Sequence, residues 1–249
     1  ADAVITGLGT GLSGTYDIPL GSNAVIVFEA TVQESVTPAK SMANAASITW
    51  SSLDGNPAGA RDGAGGIDDY ATSDTVSRTS ASPTNPVKTR TTDSYGAGDA
   101  DVRIGDEITY QIVFDLPEGT INDVSVEDTL PAGLAFIADV SITPATGSNG
   151  FTYTLTSPAA DATGTIAWNF GNVANTGGSG GNTVTIQYRV RVTNNAVGLP
   201  PGTGSLTRAN SAVLKYDNAD GDPQTTAAST TDVFVRSEER RVGKECRSR

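Results

Sequence analysis

The sequence contains no histidine. That absence removes Ser-His-Asp and Cys-His nucleophiles and histidine-ligated zinc from consideration, so no enzyme activity is expected. Cysteine is nearly absent, with Cys246 the single example, and no disulfide can staple the chain. Aromatic residues make up 6% of the 249 positions and hydrophobic residues of every kind 37%. No apolar run reaches the roughly 18 residues of a membrane-spanning helix. Long stretches of Leu, Glu, Lys and Ala, the vocabulary of helices, are missing. Basic residues are few, with 16 Lys and Arg against 28 Asp and Glu and a net charge of −12. Nucleic acid and anionic membrane both need a basic footprint, so neither is expected as a partner.

Thr, Ser, Val, Ala, Asp and Asn dominate what is present, with 28 glycines and 12 prolines. β-Branched residues suit a pleated surface, and Gly, Asn, Asp and Pro suit turns. The class predicted is all-β, with short strands and many turns. The chain opens on Ala1 rather than Met, which reads as an internal cut, so export is inferred from character alone.

The last fourteen residues, Arg236 to Arg249, read RSEERRVGKECRSR. They hold six of the basic residues and the cysteine. The segment resembles the conceptual translation of a sequencing adapter, as in a metagenomic fragment, and is set aside as a non-native tail that should pack against nothing.

Within the remainder the chain repeats itself. Ala43 to Pro57, ANAASITWSSLDGNP, matches Ala209 to Pro223, ANSAVLKYDNADGDP, without a gap and with six of fifteen positions identical. Upstream, AVIVFEATV from Ala24 to Val32 matches VTIQYRVRV from Val184 to Val192 in phase. The second copy is the more complete. Thr183 to Val192 alternates strictly, with Val184, Ile186, Tyr188, Val190 and Val192 on one face. Glu107 to Asp115 does likewise through Ile108, Tyr110, Ile112 and Phe114. Period two with one apolar face predicts half-buried antiparallel strands. Further strands are predicted near 123–128, 135–142, 151–156, 165–170, 206–216 and 231–235. This pattern predicts tandem Ig-like antiparallel β-sandwich repeats. Residues 1–80 form the C-terminal half of a truncated first repeat, 81–86 a proline-stiffened linker, 87–235 a complete repeat and 236–249 the tail.

The order of Ile108-Thr109-Tyr110-Gln111-Ile112, then Val126-Glu127-Asp128-Thr129-Leu130-Pro131-Ala132-Gly133-Leu134, then Ala209-Asn210-Ser211-Ala212-Val213 resembles conserved repeat domains of large bacterial surface proteins. It also resembles the isopeptide-forming D2 domain of fimbrial subunits. That resemblance implies a cell-surface or extracellular setting. It also implies a Lys–Asn isopeptide bond with Lys88 as amine, Asn210 as electrophile and Asp128 as the buried acid, or Glu127 in its place. Burial would lower the lysine pKa and raise that of the acid. Lys88, however, sits among Thr89, Arg90, Thr91 and Thr92, in polar company.

Asp217, Asp220 and Asp222 offer hard oxygen ligands at a turn, and calcium is the cation such a turn would take. No other cofactor is expected. Trp50, Tyr70 and Trp168 are the aromatic residues a carbohydrate platform would need, though core or edge packing accounts for them equally. The function expected is a structural spacer or stalk with neighbouring repeats of the same chain as partners. An adhesin, a carbohydrate-binding module, or an accessory domain of an exported hydrolase are the alternatives.

Overall fold

In a computed structural model, residues 3–5, 23–50, 70–93, 101–177, 182–194 and 205–236 are described. Of the tail expected at 236–249 to pack against nothing, Arg236 departs from that reading by ending a strand opposite Ser205; residues 237–249 lie outside the described residues. The chain divides into two compact units, Ala1–Gln33 and Glu34–Arg249.

In the first unit, β1 (Ala3–Ile5) pairs in parallel with β2 (Ala24–Ile26). The strand read from Ala24 to Val32 thus stops after three residues. Val25, Ile26, Val27, Phe28 and Val32 are all exposed.

The second unit begins with a two-stranded antiparallel hairpin, β3 (Ser41–Thr49) and β4 (Ala71–Thr79). After it comes a two-layer Ig-like sandwich. One sheet has four strands in the order β5 (Val87–Asp93), β7 (Glu107–Asp115), β12 (Thr183–Val192) and β9 (Leu134–Thr143). The other sheet runs β10 (Phe151–Thr152), β11 (Thr165–Asn175), β8 (Gly119–Thr129), β13 (Ser205–Asp217), β15 (Ser229–Arg236) and β6 (Asp101–Val102). A short β14 (Pro223–Thr225) also pairs with β13.

The alternation seen in the sequence becomes the core. Ile108, Tyr110, Ile112 and Phe114 of β7 and all five apolar residues of β12 are buried. Strand β12 pairs with β7 on one side and β9 on the other, so both its edges are hydrogen-bonded within the sheet. From the opposite sheet Val124, Val126, Ile166, Trp168, Phe170 and Leu214 close the interior.

Three details depart from the sequence reading. Only Phe151 and Thr152 of the expected 151–156 strand are regular. Beyond them, Thr154 and Thr156 reach Phe170 and Asn169 across a register shift in β11, where Gly171 takes a φ of 62°. Strand β8 starts at Gly119, earlier than expected, and carries an irregularity at Asn122–Asp123: Ile121 and Val124 both face inward although three positions apart. Finally, residues 81–86 lie against the sandwich end. Pro83 and Pro86 are buried, the Thr84 amide donates to the Asp115 carbonyl (3.0 Å), and the Asp115 amide donates to the Thr84 hydroxyl (2.8 Å).

The turn Pro131–Leu134 shows a local cause plainly. The Leu134 amide donates to the Pro131 carbonyl at 3.1 Å, and Gly133 has a φ of 97°. A positive φ at the third position is what a type II turn requires, and glycine supplies it without strain.

Candidate cross-link site

Inward-facing polar groups from both sheets meet in the middle of the sandwich. Lys88 is the second residue of β5 and pairs with Ile112 of β7. Its backbone amide donates to the Ser229 hydroxyl of β15 at 2.9 Å, which ties this edge of the four-stranded sheet to the other sheet. Strand β5 reverses the usual order: Val87 points outward at 58% exposure while Lys88 is 4% exposed. The lysine side chain therefore runs into the core.

Asp128 comes from the opposite sheet and is fully buried. The inward phase set at Asn122–Asp123 continues through Val124 and Val126 to Asp128. That phase puts Glu127 on the outer face, where it pairs with Lys215 at 2.7 Å. Of the two acids the sequence left open, Asp128 is the one in the core.

The Lys88 amine lies 2.5 Å from Asp128 Oδ1 and donates to the Tyr188 hydroxyl at 2.8 Å. The Tyr188 hydroxyl in turn donates to Asp128 Oδ2. The surroundings are aromatic. Tyr110 and Tyr188 are cross-strand partners on β7 and β12, with ring centroids 5.7 Å apart. Lys88 Nζ stands 4.9 Å from the Tyr110 ring and 5.5 Å from that of Tyr188. Phe136 and Trp168 also pack against Tyr188, with ring centroids 6.2 and 4.8 Å away.

Such a medium disfavours charge. Burial lowers the Lys88 pKa to about 8, against the pull of the Asp128 carboxylate, which acts to raise it. Burial likewise raises the Asp128 carboxyl, with Lys88 opposing. Both shifts favour the neutral amine and the neutral acid.

Asn210 is the third member. It sits on β13, two residues from Ala212, whose cross-strand partner is Asp128. It is fully buried, beside the hydroxyls of Tyr110 and Tyr188. Even so, neither Nδ2 nor Oδ1 makes a hydrogen bond of ordinary geometry, and the Tyr110 hydroxyl makes none either. A buried carboxamide left unpaired costs about 1–3 kcal/mol per group. The polar neighbours of Asn210 are the two tyrosine hydroxyls, met in a geometry short of an ordinary hydrogen bond. The two tyrosines were missed as site residues in the sequence because they belong to a regular apolar alternation; only their hydroxyls set them apart.

The other candidates fall elsewhere. Asp217 ends β13, and Asp220 and Asp222 lie on the exposed turn after it. That turn is closed by Asn218, whose Oδ1 accepts the amides of Asp220 and Asp222, both at 2.9 Å. Among the described residues, no three acidic, histidine or cysteine side chains converge to hold a metal ion. Trp168 is buried and donates to Asp139 at 2.7 Å, so it presents no face to a ligand. Trp50 is 45% exposed and stacks on Tyr70 at 5.5 Å with the rings 5° from parallel. No helix among the described residues is long and apolar enough to cross a membrane.

No family model and no curated protein matches the chain. Solved structures with a similar arrangement include the full-length major pilin SpaD from Corynebacterium diphtheriae, at 18% identity and a TM-score of 0.40, covering 61% of this chain and 34% of that one. The major pilin subunit BcpA of Bacillus cereus aligns at 16% identity and a TM-score of 0.38, over 71% of this chain and 53% of that one. The collagen-binding domain from a Staphylococcus aureus adhesin aligns at 12% identity and a TM-score of 0.33, over 60% and 96%. The chain thus spans about a third and about half of the two pilins it matches.

Proposed function

We propose that the sandwich is a self-cross-linking structural repeat, a spacer or stalk element of a large bacterial surface or secreted protein, in which Lys88 becomes bonded to Asn210. The observation that supports this is the fully buried Asn210 carboxamide beside the Tyr188 hydroxyl, which itself contacts a lysine and an acid that burial pushes toward their neutral forms.

In the reaction, a proton passes from the Lys88 ammonium to the Asp128 carboxylate. The neutral amine then attacks Asn210 Cγ while the Asp128 acid donates a hydrogen bond to the carboxamide oxygen. The C–N bond to Nδ2 breaks, Nδ2 leaves as ammonia with the proton the amine sheds, and an amide joins Nζ to Cγ. Nothing is oxidised or reduced, and no cofactor takes part. Tyr188 holds both the amine and the acid in place.

The product ties β5, at the edge of one sheet, to β13 in the other. A chain without disulfides gains from it what a secreted domain otherwise takes from cystine. Intact-mass measurement of the purified chain tests the reading. A deficit of about 17 Da, one ammonia, is expected, and Lys88→Ala and Asp128→Ala should each abolish it. A full uncorrected mass in the folded wild-type chain would overturn the proposal.

A further inference from the structure

Strand β4 is exposed along its whole length, and among the described residues no strand lies along its outer edge. Such an edge is a template for another strand. The register with β3 decides which backbone groups it presents. The Trp50 amide donates to the Tyr70 carbonyl at 3.0 Å and the Ser80 amide to the Lys40 carbonyl at 2.9 Å, one bond at each end of the ladder. Hydrogen-bonded and non-hydrogen-bonded pairs alternate along an antiparallel ladder. The even-numbered residues of β4 therefore bond to β3, and Ser73, Thr75, Ser77 and Thr79 turn their N–H and C=O groups outward.

Two of those outward groups are held by neighbouring side chains. The Thr75 amide donates to Asp74 Oδ1 at 2.8 Å, and Arg78 Nη1 donates to the Ser77 carbonyl at 3.2 Å. Asp74, Val76 and Arg78 share one face of the strand, with the two charges placed evenly about Val76.

We infer that β4 is the edge through which two copies of this chain join, antiparallel about a twofold axis at Val76. A twofold contact needs a strand complementary to itself, and β4 is one. In that register Asp74 lies opposite Arg78 of the second copy, Arg78 opposite its Asp74, and Val76 opposite Val76. Thr75 meets Ser77 and Ser73 meets Thr79, all residues whose backbone groups face outward, so each pair exchanges both its N–H···O bonds. The present contacts are released as a set. The Thr75 amide leaves Asp74 for the Ser77 carbonyl of the second copy, which Arg78 of that copy vacates. The freed carboxylate and guanidinium then face each other in a non-hydrogen-bonded pair, where Cα atoms stand about 4.5 Å apart and side chains are closest. A register shifted by two residues sets Asp74 or Arg78 against Val76 and loses both ion pairs, so charge selects this one.

The corresponding strand of the sandwich lacks the device. Aligning Asn44 with Asn210, as the internal repeat does, sets Ser229 and Val233 of β15 at the places of Asp74 and Arg78. There β6 takes the end of the edge, at Phe234 and Val235. Association is thus a property of β4, and the bond between Lys88 and Asn210 plays no part in it.

Sedimentation of the chain at up to roughly 1 mM, in reducing buffer so that Cys246 cannot link two copies, tests the inference. A concentration-dependent dimer is expected, with the Thr75 and Ser77 amides slower to exchange as it forms. Asp74→Arg and Arg78→Asp each set like charges opposite one another and should weaken the dimer roughly tenfold or more. The double exchange, Asp74→Arg with Arg78→Asp, should restore it. An equimolar mixture of the two single variants should form a heterodimer, because every charge then meets its opposite. A chain that stays monomeric across the range would overturn the inference. So would a dimer indifferent to the single substitutions, a mixture that fails to associate, or growth beyond the dimer, which would place the contact on another edge.

Discussion

Lys88, Asp128 and Asn210 are each the kind of residue a core excludes, and each is buried here. The three were named at the level of sequence by the family resemblance, not by composition or spacing. The inward direction of Lys88 was not legible: in Val87-Lys88-Thr89-Arg90 the only apolar residue is the one that faces out, so alternation alone selects the wrong face. The titration of the pair gives a prediction for the variant Asn210→Ala, in which Lys88 stays a free amine. Its folded pKa is depressed to about 8 from an ordinary 10.5. Between those values the unfolded chain binds a proton the folded chain has released, so stability rises as pH climbs through that window. Asp128 has the opposite sign: its folded pKa is raised, so stability falls as pH rises from the ordinary carboxylate range through the raised value. Urea midpoints of Asn210→Ala should therefore pass through a minimum between the two titrations. A flat profile would show that neither group is held in the core.

At the scale of elements, the regular alternations of β7 and β12 were readable because both strands lie inside one sheet with one face on the core. Irregular strands were less so. The inward acid is decided by the break at Asn122–Asp123, where Asp123 adopts a φ of 49°, and a period-two count from Ile121 would have put Glu127 inside. Two substitutions follow from this level. Val190→Asp puts an unpaired charge at a fully buried position between β7 and β9 and should cost several kcal/mol, enough to unfold a marginal domain; an unchanged thermal melt would contradict the assigned face. Gly119→Ala acts on the segment ahead of β3. Val36 and Pro38 carbonyls accept the amides of Thr120 and Ala219 at 2.9 and 3.1 Å. Gly119 has a φ of 125°, and a Cβ there would stand 2.3 Å from the Val36 oxygen. The alanine variant should lose the Val36 contact, read as faster hydrogen exchange at Thr120 and Ala219 with the core amides of β12 unchanged.

For the whole molecule, the bond closes a loop of roughly 120 residues, which by loop-closure entropy is a stabilisation of about 4–5 kcal/mol. The same loop is taken out of the line of tension. Pulled from its ends, the wild-type chain should release no length from the residues between Lys88 and Asn210, whereas Lys88→Ala should extend by roughly 400 Å more, at about 3.3–3.6 Å per residue. The central claim is tested most directly by the tryptic map. Lys88 lies between cleavage sites at Arg78 and Arg90, and Asn210 between Arg208 and Lys215. With the bond formed, trypsin cannot cut at Lys88, and Thr79–Arg90 should appear joined to Ala209–Lys215 as one branched peptide lacking a single ammonia, about 17 Da. Free Ala209–Lys215 at its full mass, together with cleavage after Lys88, would contradict the account.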